Sequence, residues 1–140
     1  MTVLTGLHKI LDYLKDAFNG GALSFGTLSI FLFKSNTTIS EATVWADLTE
    51  ADFTGYSIAS LTAWTGPTDA GGDTSLVQEA AYVRTNSGGS AQTIYGWGIV
   101  LDHAGTPLLV TASNFASAVV LNPGDSIGPI IPVLFDQSLT

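Results

Sequence analysis

The chain contains no cysteine, and its 140 residues carry only 4 Lys and Arg against 12 Asp and Glu. Without thiols there is neither a disulfide framework nor a thiolate metal site, and the fold is indifferent to the redox poise of its compartment. Lys9, Lys15, Lys34 and Arg84 are scattered, and the net charge is −8. Phosphate binding draws on clustered Lys and Arg, so nucleic acid is not an expected partner, and no polybasic segment exists to hold an anionic membrane. Long apolar runs are also missing. The uncharged stretch from Ala17 to Phe33 is short for a roughly 20-residue span and is broken by Asn19, Gly20, Gly21 and Gly26, so no transmembrane segment is expected. Lys9, Asp12, Lys15 and Asp16 interrupt the apolar residues of the N-terminus, which therefore does not resemble a secretory signal. No period of roughly 20–50 residues marks a repeat array.

Charged residues make up 11% of the chain, about half the usual share of roughly 25%, while 46% are apolar. A chain of this length buries roughly 65–70% of its unfolded surface, enough for one core without staples. Its surface must then be built from Ser, Thr, Asn, Gln and Gly or be covered by other subunits, and partial covering is expected.

The periodicity divides the chain in two. From Val3 to Phe18, Leu4, Leu7, Leu11, Leu14 and Phe18 recur at spacings of three and four, with Ile10 and Ala17 on the same side and His8, Lys9, Asp12, Lys15 and Asp16 opposite. The spacing predicts an amphipathic helix, capped by Thr2 or Thr5 and stopped by Asn19-Gly20-Gly21. Its stripe either packs on the chain's own sheet or docks on a neighbouring subunit. The two glycines would let it swing away, which favours Leu7, Leu11, Leu14 and Phe18 as an interface. After Gly21 short apolar segments alternate with polar turns, predicting strands near Thr27–Lys34, Ala42–Asp47, Tyr56–Thr62, Val77–Arg84, Thr93–Asp102, Pro107–Phe115, Ala118–Leu121 and Ser126–Phe135. Ala42–Asp47 would also suit a helical turn. The expected fold is mainly β: a single antiparallel β-sandwich or jelly roll preceded by one N-terminal amphipathic α-helix. The expected organisation is residues 1–19 as the helix, 20–26 as a glycine-containing hinge and 27–140 as the sandwich. Tyr95, Trp97, Ile99 and Leu101 are expected along one strand face.

Asn86-Ser87-Gly88-Gly89-Ser90 and Asp102-His103-Ala104-Gly105 read as connections between strands, and Asn122-Pro123-Gly124-Asp125 as a type II turn. Thr65–Thr74 is expected to be an exposed loop. The glycines of Thr54-Gly55-Tyr56 and Tyr95-Gly96-Trp97-Gly98 permit bulges or close backbone approach under large rings.

The search for chemistry ends without a catalytic constellation. His8 and His103 have no partners at ligand or triad spacing, and Asp69 and Asp73 lack the alternating acids and closing Glu of a calcium loop. Ser29 and Ser57 have no base nearby in the sequence, and Gly20-Gly21 and Gly71-Gly72 lack the Lys-Ser or Lys-Thr of a phosphate loop. The expectation is no enzyme, no cofactor and no metal. The aromatic residues fill the core or a subunit contact, or, if exposed, stack on sugars.

Leu32-Phe33-Lys34-Ser35-Asn36, then Leu48-Thr49-Glu50-Ala51-Asp52-Phe53-Thr54-Gly55-Tyr56, then Thr93-Ile94-Tyr95-Gly96-Trp97, then Asn122-Pro123-Gly124-Asp125-Ser126 resemble small virion structural proteins of tailed bacteriophages. The resemblance spans about residues 28 to 136. It implies a β-rich, non-enzymatic particle protein of the head-decoration (cement) or tail-associated kind, and carries no catalytic residues. The expected role is a decoration protein: a homotrimer bound to the major capsid protein on the capsid surface, present in the host cytoplasm during assembly. A tail or fibre protein that holds a glycan through Trp64, Asp69 and Asp73, and a free carbohydrate-binding module, are the alternatives.

Overall fold

The computed structural model describes residues 3–4, 27–62, 64–70, 73–78, 81–103, 106–131 and 133–137. They form ten strands: β1 (Val3–Leu4), β2 (Thr27–Phe33), β3 (Ala59–Ser60), β4 (Trp64–Ala70), β5 (Asp73–Gln78), β6 (Tyr82–Thr85), β7 (Gln92–His103), β8 (Thr106–Leu121), β9 (Ser126–Ile130) and β10 (Val133–Gln137). All pairings are antiparallel, in sheets ordered β1-β8-β7-β2-β3, β10-β5-β4 and β6-β9. The mainly β expectation holds, and the packing of β6–β9 against the five-stranded sheet is sandwich-like.

The five-stranded sheet is covered on both faces, which is why β2 reads Ile30-Phe31-Leu32-Phe33 without a polar interruption. Ile30 and Leu32 join Ile99, Leu101, Val110 and Leu121 on one side, where Tyr82 of β6 and Ile127 of β9 close the core. Phe31 and Phe33 lie on the other side with Leu48, Val100, Leu109 and Ala112. That second face is covered by the segment after β2, whose 3-10 turn η1 (Trp45–Asp47) lays Trp45 edge-on against Phe31 at 4.6 Å. Asn114 of β8 pins this segment: Ile39 N–H donates to its Oδ1 (3.1 Å), and its Nδ2 donates to the Thr37 carbonyl (2.9 Å). On the side of β2 away from β7, where β3 pairs only with Ser29 and Ile30, the rest of the edge is sealed by Ala51 N–H on the Leu32 carbonyl and Leu61 N–H on the Leu28 carbonyl.

Gly96 and Gly98 have the role their sequence context suggests. A Cβ on Gly96 would lie 2.4 Å from the Phe33 ring, and one on Gly98 would lie 2.6 Å from the Phe31 ring. The strand thus brings bare backbone under two large side chains. The turn at Asn122–Asp125 also forms as expected, with Gly124 at φ +88° and Asp125 N–H donating to the Asn122 carbonyl.

Several expectations need correction. Val3 and Leu4 do not begin a helix: they pair with Ala112 and Thr111 of β8, a tertiary pairing that overrides the local helical period. Residues 5–26, with the rest of the expected helix and the glycine-containing hinge at 20–26, lie outside the described residues. Tyr95 does not share a face with Trp97, Ile99 and Leu101. A bulge between the Ile94 and Gly96 pairings sets residues 115–118 of β8 opposite Tyr95, so Tyr95 packs on the Phe31 side and Trp97 on the Ile30 side. The same bulge lies inside one continuous β8 where two strands were expected. Ala42–Asp47 takes the helical-turn alternative at η1, and Tyr56–Thr62 is extended in pairing only at β3. Of the expected loop Thr65–Thr74, Thr65–Ala70 belongs to β4 and Asp73–Thr74 to β5, its antiparallel partner, while residues 71–72 lie outside the described residues. Gly66 and Pro67 fit because β4 is an edge strand and its register shifts between Thr65 and Thr68.

The expected strands Val77–Arg84 and Ser126–Phe135 are each divided between two sheets: Val77 pairs with Val133 where β5 meets β10, and Tyr82 pairs with Ile130 where β6 meets β9.

Candidate functional site

The turn after Ala51 and the connection from β6 to β7 meet beside the main sheet and enclose an open polar depression of about 220 Å³. It is lined by Asp52, Thr54, Ser90 and Gln92, by the backbone of Gly88 and Gly89, and by Asn86, Phe53 and Ala91. Its base is Asn86, whose side chain is fully buried. Asn86 Nδ2 donates to the carbonyls of Ser90 (2.8 Å) and Leu121 (3.0 Å), while its Oδ1 accepts from Gly88 N–H (3.0 Å). Asn86 N–H donates to the Asp125 carbonyl and its own carbonyl accepts from Gly124 N–H, locking the loop to the Asn122–Asp125 turn. Ser87 N–H donates to the Thr54 carbonyl across the depression.

Asp52 and Gln92 form the rim as a reciprocal pair: Asp52 N–H donates to Gln92 Oε1 (3.1 Å), and Gln92 Nε2 donates to Asp52 Oδ1. Lys34 Nζ lies 2.6 Å from Asp52 Oδ2. The Lys34 ammonium, and after it the Gln92 amide, hold the Asp52 carboxyl below its ordinary value, so it is ionised at neutral pH.

A second polar cluster lies under the 50–57 segment. Tyr56 Oη donates to Glu50 Oε1 (2.8 Å), and Tyr82 Oη and Arg84 Nε both donate to the Ser57 carbonyl, with the Arg84 guanidinium 4.3 Å from the Tyr82 ring centre. Burial, reinforced by the hydrogen bond to Glu50, pushes the Tyr56 hydroxyl well above the usual tyrosine range. Burial pushes Tyr82 up to about 12, against the opposing pull of Arg84. Both phenols are therefore protonated donors at neutral pH, suited to fixing the segment rather than accepting a proton. Tyrosines with raised values stabilise the fold fully below their unfolded pKa of roughly 10, and the contribution is lost as pH rises toward the folded value. Urea midpoints should accordingly fall between about pH 10 and 12, and the fall should shrink in the Tyr56→Phe, Tyr82→Phe double variant. An equal fall in that variant would assign alkaline sensitivity to other groups.

The residues singled out from the sequence do not gather here. Leu7, Leu11, Leu14 and Phe18 lie outside the described residues. Trp64 pairs with Gln78 at one end of the β4–β5 hairpin, whereas Asp69 pairs with Thr74, and Asp73 with Ala70, at the other. Five residues of strand, about 17 Å, separate Trp64 from Asp69 along the backbone. The sequence analysis named Asn86 only as part of a turn and Asp52 only as part of a resembling segment, and not Gln92, because Asp52 lies 34 and 40 positions from the other two and the three belong to no site motif. Only Gly88-Gly89, noted as a turn, pointed to the place. Among the described residues no three His, Cys, Asp or Glu gather as a metal site would require, and no helix is long and apolar enough to cross a membrane. Comparison of the chain with family models, with curated proteins and with solved structures gives no match.

Proposed function

We propose that the chain is a structural protein of a bacteriophage particle, a decoration (cement) protein that binds the major capsid protein in many copies and stabilises the head shell. The observation that carries this reading is the spatial continuity of the four segments that resemble phage virion proteins. Phe33 pairs with Gly96, and Lys34, Asp52 and Gln92 join the first two segments to the start of β7. Tyr56 Oη accepts from Leu32 N–H (3.4 Å), and the Asn86–Ser87 backbone links Thr54 to Gly124 and Asp125. Four short likenesses distributed along the sequence thus belong to one connected unit.

The surface also suits contact with other subunits. Val44, Val83, Val120 and Ile131 are exposed on a chain with few charges. In this proposal the sandwich is of jelly-roll type, the assembled form is a trimer at a local threefold position, and Leu7, Leu11, Leu14 and Phe18 contribute to the subunit or shell contact. The virion is its place and no reaction is assigned to it. Quantitative mass spectrometry of purified particles tests the proposal. A decoration protein should be present on the order of hundreds of copies per head, whereas six or a dozen copies would place it in the tail, and absence from particles would overturn the virion role.

A further inference from the structure

We infer that the depression between Asp52–Thr54 and Asn86–Gln92 is a binding site for a neutral polyhydroxylated ligand, one sugar ring of a glycan. This goes beyond the assembly role. The frame of the site is internally satisfied, while its rim retains unused hydrogen-bonding capacity. Buried Asn86 spends its donors on the carbonyls of Ser90 and Leu121 and its acceptor on Gly88 N–H, tying the loop to the end of β8, which fixes the shape of the depression before any ligand arrives. At the rim, the hydroxyls of Thr54 and Ser90 have no hydrogen-bond partner among the described residues. A carboxylate has about four acceptor positions; Asp52 uses its oxygens for Lys34 and Gln92 and keeps room for further donors. Gln92 keeps its second amide N–H.

Carboxylate, carboxamide and hydroxyl groups around one depression both accept and donate, as vicinal hydroxyls require. Other ligand classes fit less well. An anion would meet the ionised Asp52, an apolar ligand would find only Phe53 and Ala91, and a metal ion would have one carboxylate. The volume of about 220 Å³ lies below the roughly 300–1,000 Å³ of pockets for drug-sized ligands and is matched to a single ring. Affinity for such a small, polar ligand should be roughly millimolar, which multiple copies on one particle would raise through avidity.

Gly89 provides the means of testing this. A Cβ built there meets nothing within 4 Å, so a side chain can be added toward open space without a clash. The full-length protein would be titrated with the methyl glycosides of glucose, galactose, mannose and N-acetylglucosamine, with backbone amide NMR shifts as the readout. At least one glycoside should move the amides of residues 52–54 and 86–92 saturably. Gly89→Leu should abolish these shifts while leaving the thermal midpoint unchanged, and Ser90→Ala, which leaves the loop intact, should weaken binding several-fold. No saturable shift with any of the four sugars, shifts confined to other residues, or shifts unaffected by both variants would overturn the inference. None of these outcomes would bear on the copy number that tests the assembly role.

Discussion

Asn86→Asp is expected to destabilise the fold more than Asn86→Ala at neutral pH, although aspartate has the shape of asparagine. The Asn86 amide faces two carbonyl oxygens, those of Ser90 and Leu121, and both need a donor. Alanine leaves those carbonyls and Gly88 N–H without partners, at a cost of about 2–4 kcal/mol. An ionised carboxylate keeps the Gly88 bond but sets negative charge against both carbonyls in a fully buried position, where an uncompensated charge costs about 3–5 kcal/mol or more. Burial raises the pKa of the introduced carboxyl above its unfolded value, so the folded state binds the proton more tightly. The aspartate variant should therefore recover part of its deficit as pH falls, whereas the alanine variant should not. Urea unfolding of both variants at pH 7 and pH 5 measures this. Equal losses at pH 7 would mean that water reaches the Asn86 side chain.

Gly98→Ala is expected to cost about 1–3 kcal/mol by overpacking, and most of that cost should disappear in a Phe31→Leu background. The added methyl would lie 2.6 and 2.7 Å from two ring atoms of Phe31, but 3.0 Å from the Thr111 carbonyl. Phe31 cannot retreat, because it is fully buried and held edge-on by Trp45. Leucine at position 31 removes the far edge of the ring and makes room for the methyl. The two substitutions should thus be coupled by about 1–2 kcal/mol in a double-mutant cycle. Gly96→Ala provides the contrast. Its methyl would lie 2.2 Å from the Ser113 carbonyl as well as 2.4 Å from Phe33, so Phe33→Leu should relieve it far less. Strict additivity for Gly98 and Phe31 would disprove the close approach.

Legible in the sequence alone were the β class, the strand expected at Thr27–Lys34 that forms as Thr27–Phe33, the strand β7, the Asn122–Asp125 turn and the close approach of the Gly96 and Gly98 backbone to large rings. Each of these follows from local causes: two-residue or continuous apolar period, a Pro-Gly pair with defined φ requirements, or the absence of a Cβ. Tertiary structure decided the rest. Gly66-Pro67 reads as a loop until the β4 edge and its bulge accommodate it, and Val3–Leu4 reads as helix until β8 provides a pairing partner. The bulge that turns Tyr95 away from Trp97 depends on how many residues β8 places opposite it, which neither strand specifies alone. The polar depression is the least local feature, since its floor joins Asn86 to Leu121 and its rim joins Asp52 to Gln92 and Lys34. Hydrogen bonds between residues 35 and 40 positions apart leave no periodic trace in a sequence, because their geometry exists only after the core has brought the segments together.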